Sequence, residues 1–173
     1  NQACLDHILE GKACTCLVNP LACRETEFVI QPATAKKRVA VVGAGPAGMA
    51  AAATAAERGH SVTLFDSSDR IGGQFNYAKR IPGKEEFDNT LRYFGRRLEK
   101  AGVNVQLNRR ATTADFSDFD TVLLATGIVP RKPAIPGIDH AKVVSYIEAI
   151  TGAKPVGQRV AVIGAGGIGF DVS

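Results

Sequence analysis

The sequence lacks the parts from which a catalytic centre is usually built. Its three histidines, His7, His60 and His140, are scattered, and no Ser-His-Asp set or metal triad can be assembled around them. Each reads as a packing or surface histidine, and no residue is a candidate for substrate chemistry. The four cysteines include no C-x-x-C pair, which leaves a zinc ribbon without support. No apolar run approaches the ~20 residues of a membrane span, and no secretory signal is visible. The expectation is a soluble, cytoplasmic protein with no membrane partner. A net charge of +4 is mild, and its densest points are Lys36-Lys37-Arg38 and Arg109-Arg110, at the edges of predicted strands. A nucleic-acid groove needs a longer basic stripe with interleaved aromatics. What is left, 45% hydrophobic and 22% charged over 173 residues, is a globular composition.

The chain is organised around residues 36 to 66. Val39-Ala40-Val41-Val42 is short and β-branched enough for a buried parallel strand. It leads into Gly43-Ala44-Gly45-Pro46-Ala47-Gly48, a G-x-G-x-x-G pattern, and then into an alanine-rich helix that Gly59-His60 stops. A second strand, Ser61 to Phe65, ends on Asp66, an acid 23 residues after the first glycine. In this order Gly43 makes the tight turn, Gly45 admits a phosphate to the backbone, and Gly48 lets the helix lie against the sheet. Pro46 suits the first helical turn, where its missing N–H is not needed. The N–H groups beside Ala47 and Gly48, at the positive end of the helix dipole, face a pyrophosphate. Asp66 accepts hydrogen bonds from the hydroxyls of an adenosine ribose and repels a 2′-phosphate, which favours FAD or NAD over NADP at this site. The alternative is a bare packing turn.

Further along, Ile71-Gly72-Gly73-Gln74-Phe75 offers a double glycine for close backbone approach, with Gln74 as donor and acceptor. A plain loop is the alternative. Residues 84 to 101 are predicted to form an amphipathic helix, with Phe87, Leu91, Phe94, Leu98 and Ala101 on one face. Lys84 at its start is a candidate phosphate contact, an exposed lysine being the plainer reading. Val103 to Leu107 is the next predicted strand, and residues 120 to 124 another buried one, closing on Ala125-Thr126-Gly127. Prolines 130, 133 and 136 then stiffen a crossover, with Pro20 and Pro32 marking an earlier connector. Ser145-Tyr146-Ile147-Glu148 matches a capping box. Finally Arg159 to Ile163, a predicted strand, leads into Gly164-Ala165-Gly166-Gly167-Ile168-Gly169, a second G-x-G-x-x-G 121 residues after the first. Two copies are far more specific than one, and they imply two dinucleotide sites.

All four cysteines, Cys4, Cys14, Cys16 and Cys23, fall in the first 23 residues, where metal ligation and ordinary thiols both remain open. The stretch NQACLDHILEGKACTCLVNPLAC resembles the iron–sulfur segment of the 2,4-dienoyl-CoA reductase and trimethylamine dehydrogenase family of flavoenzymes. The resemblance is nearest to the family's NADPH-dependent 2,4-dienoyl-CoA reductase branch and continues along essentially the whole chain. There a C-x2-C-x3-C-x11-C pattern holds a [4Fe–4S] cluster, and Cys4 and Cys16 stand at its third and fourth positions. Cys14 and Cys23 lie outside the pattern, and two thiolates do not complete a four-cysteine cluster.

The resemblance implies that Gly73 and Gln74 lie against FAD and that residues near Ala111 meet its adenine. It also implies that Ala125-Thr126-Gly127 marks the exit toward an NAD(P)H domain. The second glycine motif would hold NADP(H) at Gly164, Gly166 and Gly169. The implied path runs from NADPH to FAD, to [4Fe–4S], to FMN and to a dienoyl-CoA of fatty-acid β-oxidation, with an FMN-binding barrel elsewhere in the parent chain. The chain opens without methionine and stops inside an expected helix, so it is expected to be a fragment, inactive alone.

The fold expected is α/β, a Rossmann-like FAD/NAD(P)-binding parallel sheet flanked by helices, preceded by an irregular cysteine-containing segment. The expected units are residues 1–35 (partial iron–sulfur segment and connector), 36–131 (FAD-binding domain), 132–158 (interdomain connector) and 159–173 (start of the NAD(P)H-binding domain). A non-redox module that merely holds ADP or NAD is the competing reading. The double glycine and the second motif argue against it.

Overall fold

The computed structural model describes residues 3–16, 19 and 21–173; Pro20, expected in the first connector, lies outside them. Helix α1 (Ala3–Leu9) opens the chain, and β1 (Arg38–Val42) begins the main body. Then come α2 (Pro46–Glu57), β2 (Ser61–Phe65), the short α3 (Phe75–Ala78), α4 (Phe87–Lys100) and β3 (Asn104–Gln106). A 3-10 turn (Thr113–Phe116) precedes β4 (Thr121–Leu124), and α5 (Tyr146–Thr151) and α6 (Gly167–Asp171) follow.

The strands form one parallel sheet in the order β3-β2-β1-β4. Register is set by β1, whose Val39 pairs with Val62 on one side and Thr121 on the other. Alternate residues of a strand face opposite sides. Val39, Val41, Val62 and Leu64 therefore share one face, where they pack with Met49, Ala52 and Ala53 of α2 and with Phe94 and Leu98 of α4. The small alanines bring α2 close, and Arg97 of α4 clasps Glu57 of α2 with paired hydrogen bonds of 2.7 and 2.6 Å. Phe65 points to the other side, where Phe116 and Phe119 meet its ring edge-on at 6.4 and 6.0 Å.

Helix ends follow local chemistry. Gly59 (φ +97°) closes α2 and Gly102 (φ +70°) closes α4. The capping box at Ser145 forms as the spacing predicts, with the Ser145 hydroxyl accepting from the Glu148 N–H and the Glu148 carboxylate accepting in return. Helix α4 starts at Phe87 rather than 84, because residues 81 to 89 first pass through successive three-residue turns and Glu85 accepts from the Gly83 N–H at 3.0 Å.

Two expectations about strands are corrected. The strand at 120 to 124 is not buried: β4 is the sheet's edge among the described residues, and Leu124 is 75% exposed. Its apolar sequence suits a strand with neighbours on both sides, but only β1 pairs with it. Residues 159 to 163 form no strand, since an extended segment becomes one only by pairing, and no described residue pairs with it.

Beside β2, Arg109 lies over the Phe65 ring at 5.5 Å and bonds Asp115 at 2.5 Å. The Arg109 guanidinium, then the Thr112 N–H and hydroxyl, hold the Asp115 carboxyl down to about 2, from an ordinary 3.8. A carboxyl lowered in the folded state contributes stability above its unfolded value, and that contribution is lost as pH falls from 3.8 through about 2. An NMR titration of Asp115 is expected to give a midpoint near 2, moving upward in Arg109→Met. A wild-type midpoint at the ordinary 3.8 contradicts this arrangement.

Candidate functional site

In an open parallel sheet, ligands gather at the carboxyl ends of the strands, and three loops converge there. The first is the glycine turn after β1. Gly43 has φ +106°, which only glycine adopts without strain. A side chain at Gly43 would strike the Ala125 carbonyl, and one at Gly48 would overlap the Gly43 carbonyl oxygen. Helix α2 thus starts in direct contact with the turn. Gly45 differs: its φ is −73°, and nothing lies within 4 Å of where a Cβ would stand. The first helical hydrogen bond runs from the Met49 N–H to the Gly45 carbonyl at 2.9 Å. The N–H groups of Ala47 and Gly48 precede it at the helix start, and Pro46 has none to offer.

The second loop is the double glycine. Gly72 (φ +119°) donates its N–H to the Ala44 carbonyl at 2.7 Å, and a Cβ on Gly73 (φ +52°) would come within 3.0 Å of the Gly45 Cα. The pair lies directly against the first turn, and Gln74 stands at the N-cap position of α3 without a capping bond from its side chain. The third loop follows β4, where the Ala125 N–H donates to Val42 at 2.8 Å. Half-buried Ala125 leads to exposed Thr126 and Gly127.

Asp66 ties these pieces together. Its Oδ2 accepts from the Ala44 N–H at 2.6 Å and its Oδ1 from the Ser68 N–H at 2.7 Å. A carboxylate has about four acceptor positions, so ribose hydroxyls can still be received beside these bonds. The sequence pattern leaves Ala44 as a free position, yet it is fully buried and bonded on both sides. Its place between two glycines was the only signal available. Ala111 is half-buried in the stretch between β3 and the 3-10 turn.

Lys84, the candidate phosphate contact, has a partner within the chain. Its ammonium is held by Asp171 at 2.6 Å. The second glycine turn repeats the first in backbone terms. Gly164 has φ +113°, Gly166 is extended like Gly45, and a side chain at Gly169 would overlap the Gly164 carbonyl oxygen.

In the N-terminal segment, Cys4 sits on α1, and the Asn19 N–H approaches the Cys16 Sγ at 3.4 Å. Burial pushes the Cys14 thiol up, and the neighbouring Cys23, Cys4 and Cys16 push in the same direction. Among the described residues no group of three His, Cys, Asp or Glu side chains converges as a metal site. A [4Fe–4S] cluster needs four thiolates, twice what Cys4 and Cys16 together could offer. The histidines have local partners: Nδ1 of His60 and of His140 accepts from the Lys37 and Lys142 N–H, and Nδ1 of His7 bonds Thr15. Two open grooves of about 510 Å³ lie away from the glycine loops, one by Lys37, Arg58 and His60, the other between α4 and β3. Among the described residues no helix is long and apolar enough to cross a membrane.

Comparison with known proteins agrees with this geometry. The pyridine nucleotide-disulphide oxidoreductase pattern matches residues 37–173, and the chain belongs to that family. FAD and NAD(P)H are the cofactors this membership implies. A metal reductase of Desulforamulus reducens is 35% identical over 100% of this chain and 27% of its own length. A cinnamate reductase of Clostridium sporogenes is 35% identical over 99% of this chain and 26% of its own. A solved 2-naphthoyl-CoA reductase, bound to 2-naphthoyl-CoA, superposes with a TM-score of 0.92 at 35% identity, covering 99% of this chain and 27% of that one. The chain therefore spans about a quarter of the length of the relatives it matches.

The two glycines give separable predictions. Gly45→Val, facing open space at an ordinary φ, is expected to fold with an unchanged melting temperature and lose nucleotide binding. Gly48→Val is expected to lose both, because its side chain overlaps backbone. Calorimetry of both variants with ADP titration checks this, and undiminished affinity in Gly45→Val removes the phosphate from this turn.

Proposed function

We propose that this chain is the electron-entry portion of a multi-cofactor flavin oxidoreductase acting on 2,4-dienoyl-CoA or a similar enoyl substrate. It would lie in the cytoplasm, taking electrons from NADPH and passing them toward a [4Fe–4S] cluster and FMN. The observation that carries this reading is the pair of glycine turns with matching backbone geometry, Gly43 to Gly48 and Gly164 to Gly169. A structural nucleotide holder needs one such turn. The relatives include proteins named as reductases of a cinnamate and a naphthoyl-CoA, both conjugated acyl compounds, which favours an enoyl-type substrate.

The residues fit FAD at the first site. Open space beside Gly45 admits the pyrophosphate, and the N–H groups of Ala47 and Gly48 at the start of α2 face it. Gly43, Gly48 and Pro46 shape the turn. Asp66 holds Ala44 in place and receives the adenosine ribose. Gly73 and Gln74 would border the cofactor and Ala111 its adenine, while Ala125 and Thr126, beside Gly43, and the following Gly127 would close the site. Gly164, Gly166 and Gly169 take the nicotinamide nucleotide. Bound FAD would supply the ability to accept two electrons together and release them singly. Lys84, engaged with Asp171, is not assigned to a phosphate.

We assign residues 36–131 to the flavin unit, 132–158 to a connector and 159–173 to the start of the nicotinamide unit. Residues 1–35 form part of an iron–sulfur segment in which Cys4 and Cys16 are two of four ligands. An FMN-binding barrel in the same parent chain is the proposed partner, and the 173 residues alone are proposed to be inactive.

In the full-length protein, anaerobic NADPH is expected to bleach the flavin absorbance, and faster than NADH does. Bound flavin that neither nucleotide reduces overturns the proposal. Nucleotide binding with no flavin at all favours the non-redox module.

A further inference from the structure

Between the first glycine turn and α4 the chain makes an excursion, residues 75 to 88. It begins at the double glycine that lies against Gly45. Two contacts staple it shut: the rings of Phe75 and Phe87 stack at 4.9 Å, and Lys79 bonds Asp88 at 2.7 Å. Two long cations then reach outward from it. Arg80 donates to the Thr151 carbonyl at 3.3 Å, at the end of α5, and Lys84 pairs with Asp171 at 2.6 Å, on α6. Helix α6 starts directly from Gly166 of the second glycine turn.

Residues 159 to 168 are otherwise exposed, with Ile163 at 77%. Among the described residues the Lys84–Asp171 pair is the one ion pair that joins residues 159–173 to the rest of the molecule. A stapled bracket therefore runs from the first phosphate turn, through Gly73 and α3, to Lys84, and across to the helix of the second turn.

We infer that Lys84 and Asp171 are a positioning pair, setting the nicotinamide-nucleotide site relative to the flavin site for hydride transfer between them. This rests on the two-site reading proposed above. The bond between the two side chains includes no atom of either glycine turn, so its removal leaves both turns intact. Its two side chains are 37% and 33% exposed, and ion pairs so open to water add little to folding. What it controls is alignment, and hydride transfer is steep in alignment: a displacement of 1 Å lowers a rate by about 100-fold.

The test uses the full-length protein with Lys84→Met, Asp171→Asn and the exchanged pair K84D/D171K. Flavin content, nicotinamide-nucleotide affinity and the rapid-mixing rate of flavin reduction are read separately. Each single variant is expected to keep its flavin and its nucleotide affinity while flavin reduction slows by about 10- to 100-fold. The exchanged pair is expected to recover most of the rate. Singles that reduce flavin at the wild-type rate overturn the inference, as does an exchanged pair no faster than the singles. A protein that carries no flavin overturns the two-site reading and the inference with it, and absorbance at the flavin band tells that failure from the others.

Discussion

Everything at the candidate site depends on a close backbone approach that side chains would forbid. The start of α2 rests on the Gly43 carbonyl at Gly48, and the loop after β4 rests on Gly43 itself. Without these two contacts the helix could not begin where its free N–H groups face the ends of the strands. The alanines of α2 extend the same constraint along the helix, letting Ala52 and Ala53 sink fully into the sheet's core. Packing and the proposed binding are thus one requirement here: the helix must be close to the sheet for its first turn to meet a phosphate at the strand ends.

Asp66 adds an electrostatic constraint to the steric one. Its carboxylate fixes Ala44, and the Ala44 carbonyl in turn receives Gly72, so one acid links the first glycine turn, the end of β2 and the double glycine. Any ribose role for Asp66 is therefore added to a structural one. Its removal would loosen the turn as well as weaken recognition.

Much of this was legible in the sequence, because glycine turns are set locally. The second turn makes the point: it reproduces the dihedrals and the tight contact of the first with no strand before it. Short apolar, β-branched runs marked β1 and β2, and the capping box marked the start of α5. What sequence reasoning missed depends on neighbours. Whether 121 to 124 is central or edge, and whether 159 to 163 is a strand at all, is decided by pairing partners that a local pattern does not contain. Lys84 illustrates the same limit for side chains, since its partner Asp171 is 87 positions away in sequence.

The central claim is that the first glycine turn is a working FAD site. The most direct measurement is the visible absorption spectrum of the purified chain, taken before and after adding FAD and desalting. A retained flavin spectrum is the predicted result. A colourless protein that still binds ADP would contradict it, leaving a phosphate turn without a flavin domain around it.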